Sequence, residues 1–230
     1  MRTIGLLGGM SWESTVLYYQ HINEGIKARL GGLHSAKIVL YSVDFQEIET
    51  LQRQGDWATA GQMLAAAARS LQSAGADGLV ICTNTMHKVV PAIEAAIAIP
   101  ILHIADATAA AAQAQGLQTV GLLGTQFTME QAFYAERLRQ HGLTVMVPAA
   151  AERAIVHRII YEELCLGQVQ PAAKEAYLQI IDGLQAQGAE GIIAGCTEIT
   201  LLIQPSDLTL PLLDTTAIHA AAAIAFALAE

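Results

Sequence analysis

The chain carries one strand-and-glycine pattern twice, and this repetition restricts the fold more than any other feature. Thr3-Ile4-Gly5-Leu6-Leu7-Gly8 matches Thr119-Val120-Gly121-Leu122-Leu123-Gly124 at nearly every position. Further along each half, Ala74-Gly75-Ala76-Asp77-Gly78-Leu79-Val80-Ile81-Cys82-Thr83 matches Gln187-Gly188-Ala189-Glu190-Gly191-Ile192-Ile193-Ala194-Gly195-Cys196. Pro100-Ile101-Leu102 then matches Pro211-Leu212-Leu213. Matches in one order and at similar spacing imply two lobes of common plan. Within each, short apolar, β-branched runs alternate with longer Ala/Leu/Gln-rich stretches of helical period, the pattern of βα units around a parallel sheet. The predicted class is α/β, with two lobes, each a mostly parallel sheet flanked by helices. Strands are predicted over 3–8, 37–43, 78–82, 101–103, 119–124, 143–147, 191–195 and 210–213. Helices are predicted near 12–30, 56–74, 88–96, 105–115, 129–140, 152–166, 171–187 and 216–228. The first lobe is expected over 1–104 with 214–230 returning to pack on it, and the second over 105–213.

Hydrophobic residues make up 53% of the 230 residues and charged ones 14%, yet no apolar run reaches the roughly 18 residues that span a bilayer. The opening Met1-Arg2-Thr3-Ile4-Gly5-Leu6-Leu7-Gly8-Gly9 reads as a strand meeting glycines, without a secretory cleavage site, so a cytoplasmic location is expected. Three cysteines at wide spacing make no disulfide framework, and no further Cys/His pair stands at metal-ligand spacing, so free thiols and no metal are expected. A formal net charge of −9, with no Lys/Arg cluster, argues against nucleic acid or an anionic membrane as partner.

Ligands of a parallel α/β sheet bind at the carboxyl ends of its strands, where helix N-termini present free N–H groups. That rim holds Gly8-Gly9-Met10-Ser11, Thr83-Asn84-Thr85, Gly124-Thr125-Gln126-Phe127-Thr128 and Cys196-Thr197-Glu198. Helix capping is the ordinary role of any one such segment, but four together, two of them beside thiols, point to a site for a small carboxylate. A cysteine between strand and helix is where a thiol pKa falls. Cys196 fits this description, with Thr197 able to cap and Glu198 in the first turn. Cys82 lies within a strand, and Cys165 lies near a helix C-terminus, where the dipole disfavours a thiolate.

The Asn84-Thr85 segment in one half, Gly195-Cys196-Thr197-Glu198 in the other and Gly5-Leu6-Leu7-Gly8-Gly9-Met10 at the start together resemble the aspartate/glutamate racemase family over essentially the whole chain. The resemblance implies two pseudo-symmetric α/β lobes, an active site in the cleft between them, a homodimer and an amino acid as substrate. It also implies cofactor-independent racemisation by two cysteines on opposite faces of the α-carbon. The absence of a strand-end Lys agrees with no pyridoxal phosphate.

Two departures matter. The family's first motif is Cys-Asn-Thr, and aligning on Asn84-Thr85 puts Thr83, not Cys82, at the catalytic position; side chains alternate along an extended segment, so Cys82 points away. The expected pair is therefore Cys196, the base toward the L-enantiomer, and Thr83, the opposing proton donor, which favours L to D turnover. Asn84, Thr85 and Thr197 are expected to hold the α-carboxylate and amino group, and Glu198 is expected among the substrate-binding residues. Met10 and Ser11 are expected to line the cleft, and Thr128 to bind the carboxylate with Thr125 as runner-up. Second, the family's distal-carboxylate Lys aligns with Cys165, and its Arg region, Val43-Asp44-Phe45-Gln46-Glu47, has no cation. Arg53 in the following turn would serve an acidic substrate, Gln52 a neutral polar one, and a surface position is the alternative for Arg53. His87 is expected either to tune the pocket or to lie on a helix surface, and Trp12 and Trp57 to pack. The rival readings are a broad-specificity racemase of neutral polar amino acids, a single-cysteine decarboxylase or isomerase, and a non-catalytic small-molecule binding protein.

Overall fold

The computed structural model describes residues 1–229. Its strands are β1 (Ile4–Gly8), β2 (Ile38–Ser42), β3 (Gly78–Ile81), β4 (Ile101–Leu102), β5 (Thr119–Gly124), β6 (Thr144–Met146), β7 (Gly191–Gly195) and β8 (Leu212–Asp214). The helices are α1 (Trp12–Leu30), α2 (Phe45–Gln54), α3 (Trp57–Ser73), α4 (Val90–Glu94), α5 (Ile104–Ala114), α6 (Gln126–Glu130), α7 (Ala132–Gln140), α8 (Ala150–Glu162), α9 (Pro171–Ala186), α10 (Ile199–Leu202) and α11 (Thr215–Leu228). They build two parallel four-stranded sheets, in the orders β2-β1-β3-β4 and β6-β5-β7-β8. The chain divides into two compact units: Met1–Ile104 completed by the segment from His219, and Ala105–Ile218. The middle strands β1, β3 and β7 are buried throughout, as expected where helices cover both faces of a parallel sheet.

In the first unit one face of the sheet packs Leu7, Leu79 and Ile81 against α3, while the other packs Ile4, Leu6, Val80 and Cys82 against Tyr18, Ile22 and Ile26 of α1 and Ala220, Ala223 and Ile224 of α11. The C-terminal helix thus returns to the first unit, and Arg2 N donates to Ala227 O at 2.9 Å. In the second unit Leu123, Ile192 and Ala194 pack against Ile159 and Ile160 of α8 and Tyr177, Ile180 and Ile181 of α9.

Several local expectations change. Helix α2 is an addition: its apolar residues Phe45, Ile48 and Leu51 are set among polar ones, and Asp44 caps it by accepting from Gln46 N. The helix expected over 129–140 is two helices, interrupted at Gln131 with extended backbone (φ −89°, ψ 143°). The helix expected from Lys88 begins earlier, as a 3₁₀ turn Thr85–Val89, before α4 with Pro91 in its first turn. Trp57 packs on the core and lies under the Lys88 ammonium at 3.8 Å, but Trp12 is 64% exposed and shares a bare face of α1 with Val16 and Tyr19.

Candidate functional site

Each unit carries candidate residues at the carboxyl end of its central strands. Register makes the two comparable. Leu7 pairs with Ile81 across β1 and β3, and the equivalent Leu123 pairs with Ala194 across β5 and β7. One residue on, Cys82 stands where Gly195 does; two on, Thr83 stands where Cys196 does. Thr83 and Cys196 therefore occupy equivalent positions in their own units, and Cys82 belongs to the core.

At the first unit's rim, Gly9 has φ +91°, and a Cβ there would stand 2.6 Å from Val43 N, so only glycine passes the chain so close to the end of β2. Met10 follows, buried against Ile48 and Met86. Ser11 caps α1, accepting from Ser14 N at 3.3 Å, and Ser14 Oγ donates to Cys82 O at 3.3 Å, tying α1 to the end of β3. The Cys82 side chain is fully buried, and burial pushes its thiol pKa up. Thr83 is partly exposed; its N–H donates to Ile81 O. Asn84 and Thr85, both buried, open the 3₁₀ turn behind it.

Helix α2 sorts the two specificity candidates. Gln52 is 3% exposed and its Nε2 lies 2.9 Å from Met86 Sδ, beside the Thr85 turn; no partner reaches its buried Oε1. Arg53 turns the other way, its side chain 68% exposed and ion-paired with Glu49 at 2.7 Å. It takes the surface position that was its alternative.

At the second unit's rim, Gly195 is obligatory because a Cβ there would stand 2.7 Å from Leu123 O. Thr125 caps α6, accepting from Thr128 N at 3.3 Å, and the two hydroxyls lie 3.2 Å apart. Thr128, expected on the carboxylate, is wholly buried against Gly124. Thr197 is buried too; its hydroxyl lies 3.0 Å from that of Thr216 in α11 rather than capping α10.

The expected lowering of the Cys196 pKa is corrected. Its thiol donates to Glu198 Oε2 at 2.9 Å. Burial, then the Glu198 carboxylate, then Cys165 hold the pKa well above the ordinary thiol value. The helix that follows has four residues and begins beyond Glu198, too short and too distant to supply the dipole assumed from sequence. Glu198 is therefore the thiol's hydrogen-bond partner, a role the sequence pattern did not suggest. Cys165, in the turn Leu164–Leu166, packs on the same core as Cys196. His103 and His219, not singled out from sequence, join His87 in a buried cluster behind Thr83. Among the described residues, no helix is long and apolar enough to cross a membrane.

Known proteins share this fold. The family model for Asp/Glu/hydantoin racemases matches residues 7–223. The fold of a Yersinia pestis protein ascribed to the Asp/Glu racemases superposes with a TM-score of 0.94 at 59% identity, covering 100% of both chains. An aspartate racemase homologue from Pyrococcus horikoshii superposes at 0.86 with 33% identity over 99% of both. Among curated sequences, the broad specificity amino-acid racemase RacX of Bacillus subtilis is 26% identical over 64% of this chain and 63% of its own length. A glutamate racemase of Actinobacillus pleuropneumoniae is 29% identical over 59% of this chain and 50% of its own length. The chain thus spans about half to two thirds of those curated relatives. With the family model covering nearly the whole length, the chain belongs to the Asp/Glu/hydantoin racemase family.

Proposed function

We propose that this protein is a cofactor-independent amino-acid racemase in which Cys196 takes the α-proton from the L-enantiomer and Thr83 returns a proton to the opposite face. The observation that carries the reading is the register equivalence of Thr83 and Cys196 at the ends of β3 and β7, with Cys82 buried. The raised Cys196 pKa makes the resting group a thiol, so the first step is loss of its proton to solvent, while Glu198, 2.9 Å away, orients the sulfur as its hydrogen-bond partner. The thiolate then removes the α-proton, and the carbanion takes a proton from the Thr83 hydroxyl, which solvent resupplies. A hydroxyl donates acceptably but is a poor base near neutral pH, so turnover from the D-enantiomer is slow. Both directions still approach the same equilibrium.

For the side chain, the family's acidic substrates are one reading. A neutral polar amino acid is the second, favoured by the inward Gln52 with its unpartnered Oε1 and by Arg53 facing solvent. The name of the RacX relative gives a precedent for broad specificity.

The test is α-proton exchange in heavy water, followed by NMR and chiral chromatography, with L-aspartate, L-glutamate and neutral L-amino acids and no added cofactor. Exchange with inversion is expected, abolished in Cys196→Ala. In Thr83→Cys, turnover from the D-enantiomer is expected to rise. Folded protein that exchanges no amino acid refutes the racemase reading, and exchange surviving in Cys196→Ala refutes the assignment of the base.

A further inference from the structure

Behind Thr83 lies a run of four buried rings. His87 stacks edgewise on His103 with centroids 4.6 Å apart and on His219 at 5.8 Å, and His219 meets Tyr18 at 5.5 Å. His87 and His219 are at most 2% exposed and His103 9%. The bonds of His87 fix its tautomer. Its Nε2 accepts from Ile104 N at 3.2 Å, so Nδ1 carries the hydrogen and donates to Thr83 O at 2.8 Å. One ring therefore joins the backbone of the proposed proton donor to the first N–H of α5, where the chain leaves the first unit at Ile104. His219, the first residue after the chain returns, is held the same way, its Nε2 donating to Leu102 O at 2.6 Å and its Nδ1 accepting from Tyr18 Oη at 2.9 Å.

We propose that His87 is a positioning residue: by holding the Thr83 carbonyl through Nδ1 it sets the direction of the Thr83 hydroxyl. Both ring nitrogens are engaged, so His87 has no atom left for proton transfer to substrate. Its effect is on geometry, where a displacement of about 1 Å at a reacting group costs up to roughly 100-fold in rate.

The inference rests on the racemase reading and separates from it experimentally. Two variants divide the ring's bonds. His87→Asn places an amide N–H near the Nδ1 position and keeps the Thr83 contact; His87→Gln places its oxygen near Nε2 and keeps the Ile104 contact. The readout is the ratio of inversion to α-proton exchange from the L-enantiomer, since exchange needs Cys196 alone and inversion needs Thr83. In His87→Gln the ratio is expected to fall about 10- to 100-fold while exchange persists; in His87→Asn it is expected to stay near wild type. An unchanged ratio in His87→Gln, or the same fall in both variants, overturns the proposal. Should neither variant fold, the wild-type tautomer decides: ¹⁵N NMR is expected to show the hydrogen of His87 on Nδ1, and finding it on Nε2 removes the bond to Thr83. A wild-type protein without exchange defeats the racemase reading first, and leaves the tautomer measurement to stand by itself.

Discussion

Acidification from pH 7 to pH 5 is expected to cost the first unit about 2 kcal/mol through His219 alone. Burial, opposed in part by the bond to Leu102 O, lowers the His219 pKa from 6.5 to about 4, and the neighbouring His103 adds to the lowering. Between those values the unfolded chain binds a proton that the folded one refuses, so stability rises with pH through the window and is lost as pH falls from about 6.5 toward 4. Near pH 5 most unfolded histidines are charged and few folded ones are, which gives the 2 kcal/mol. His87 shifts in the same direction and adds to the loss. The carboxylates held below their usual range, Asp56, Glu130, Glu190 and Asp207, lose their stabilisation only below their unfolded values near 4, outside this window. Both tryptophans, Trp12 and Trp57, belong to the first unit, so fluorescence reads the unit in question and not His157 in the other. Urea midpoints at pH 7, 6 and 5 should move by about 1 M for a slope near 2 kcal/mol/M. His219→Gln should show a smaller dependence on pH by the His219 share. Identical slopes for the wild type and His219→Gln would refute the argument that the buried ring refuses its proton.

Three further expectations follow from placement. Cys82→Ala should lower stability by about 1–2 kcal/mol while leaving α-proton exchange within roughly twofold, and a large loss of exchange would return Cys82 to the chemistry. Cys196→Ser should cut exchange by at least about 100-fold with little change in urea midpoint; in the wild type, kcat/KM from the L-enantiomer should climb with pH into the alkaline range, because the thiol is held above its usual value. Arg53→Ala removes an exposed ion pair and should change stability by less than about 0.5 kcal/mol without altering the order of substrates, which a side-chain panel would check.

The strands were legible in the sequence because continuous apolar runs bounded by glycine have few other uses, and because each half corroborated the other. The alternation of side chains along β3 was enough to set Cys82 apart from Thr83. What stayed hidden was local and polar. Helix α2 carries its apolar residues singly among charges, so the direction of Gln52 and Arg53 could not be read. The Cys196 environment was misjudged because strand-then-helix spacing does not give the length of the helix or the direction of Glu198. The three histidines lie at 87, 103 and 219, a separation with no periodicity to betray that they stack.

The division of the chain also orders its synthesis. The second unit is one uninterrupted stretch, Ala105–Ile218, whereas the first needs Ala220, Ala223 and Ile224 to cover the face of its sheet that carries Ile4, Leu6 and Val80. On a ribosome, the half made first waits with that apolar face covered by α1 alone while the half made second completes its core. The N-terminal half therefore waits longest for its cover, which comes only with α11, the helix that also carries His219 of the cluster behind Thr83 in its second turn.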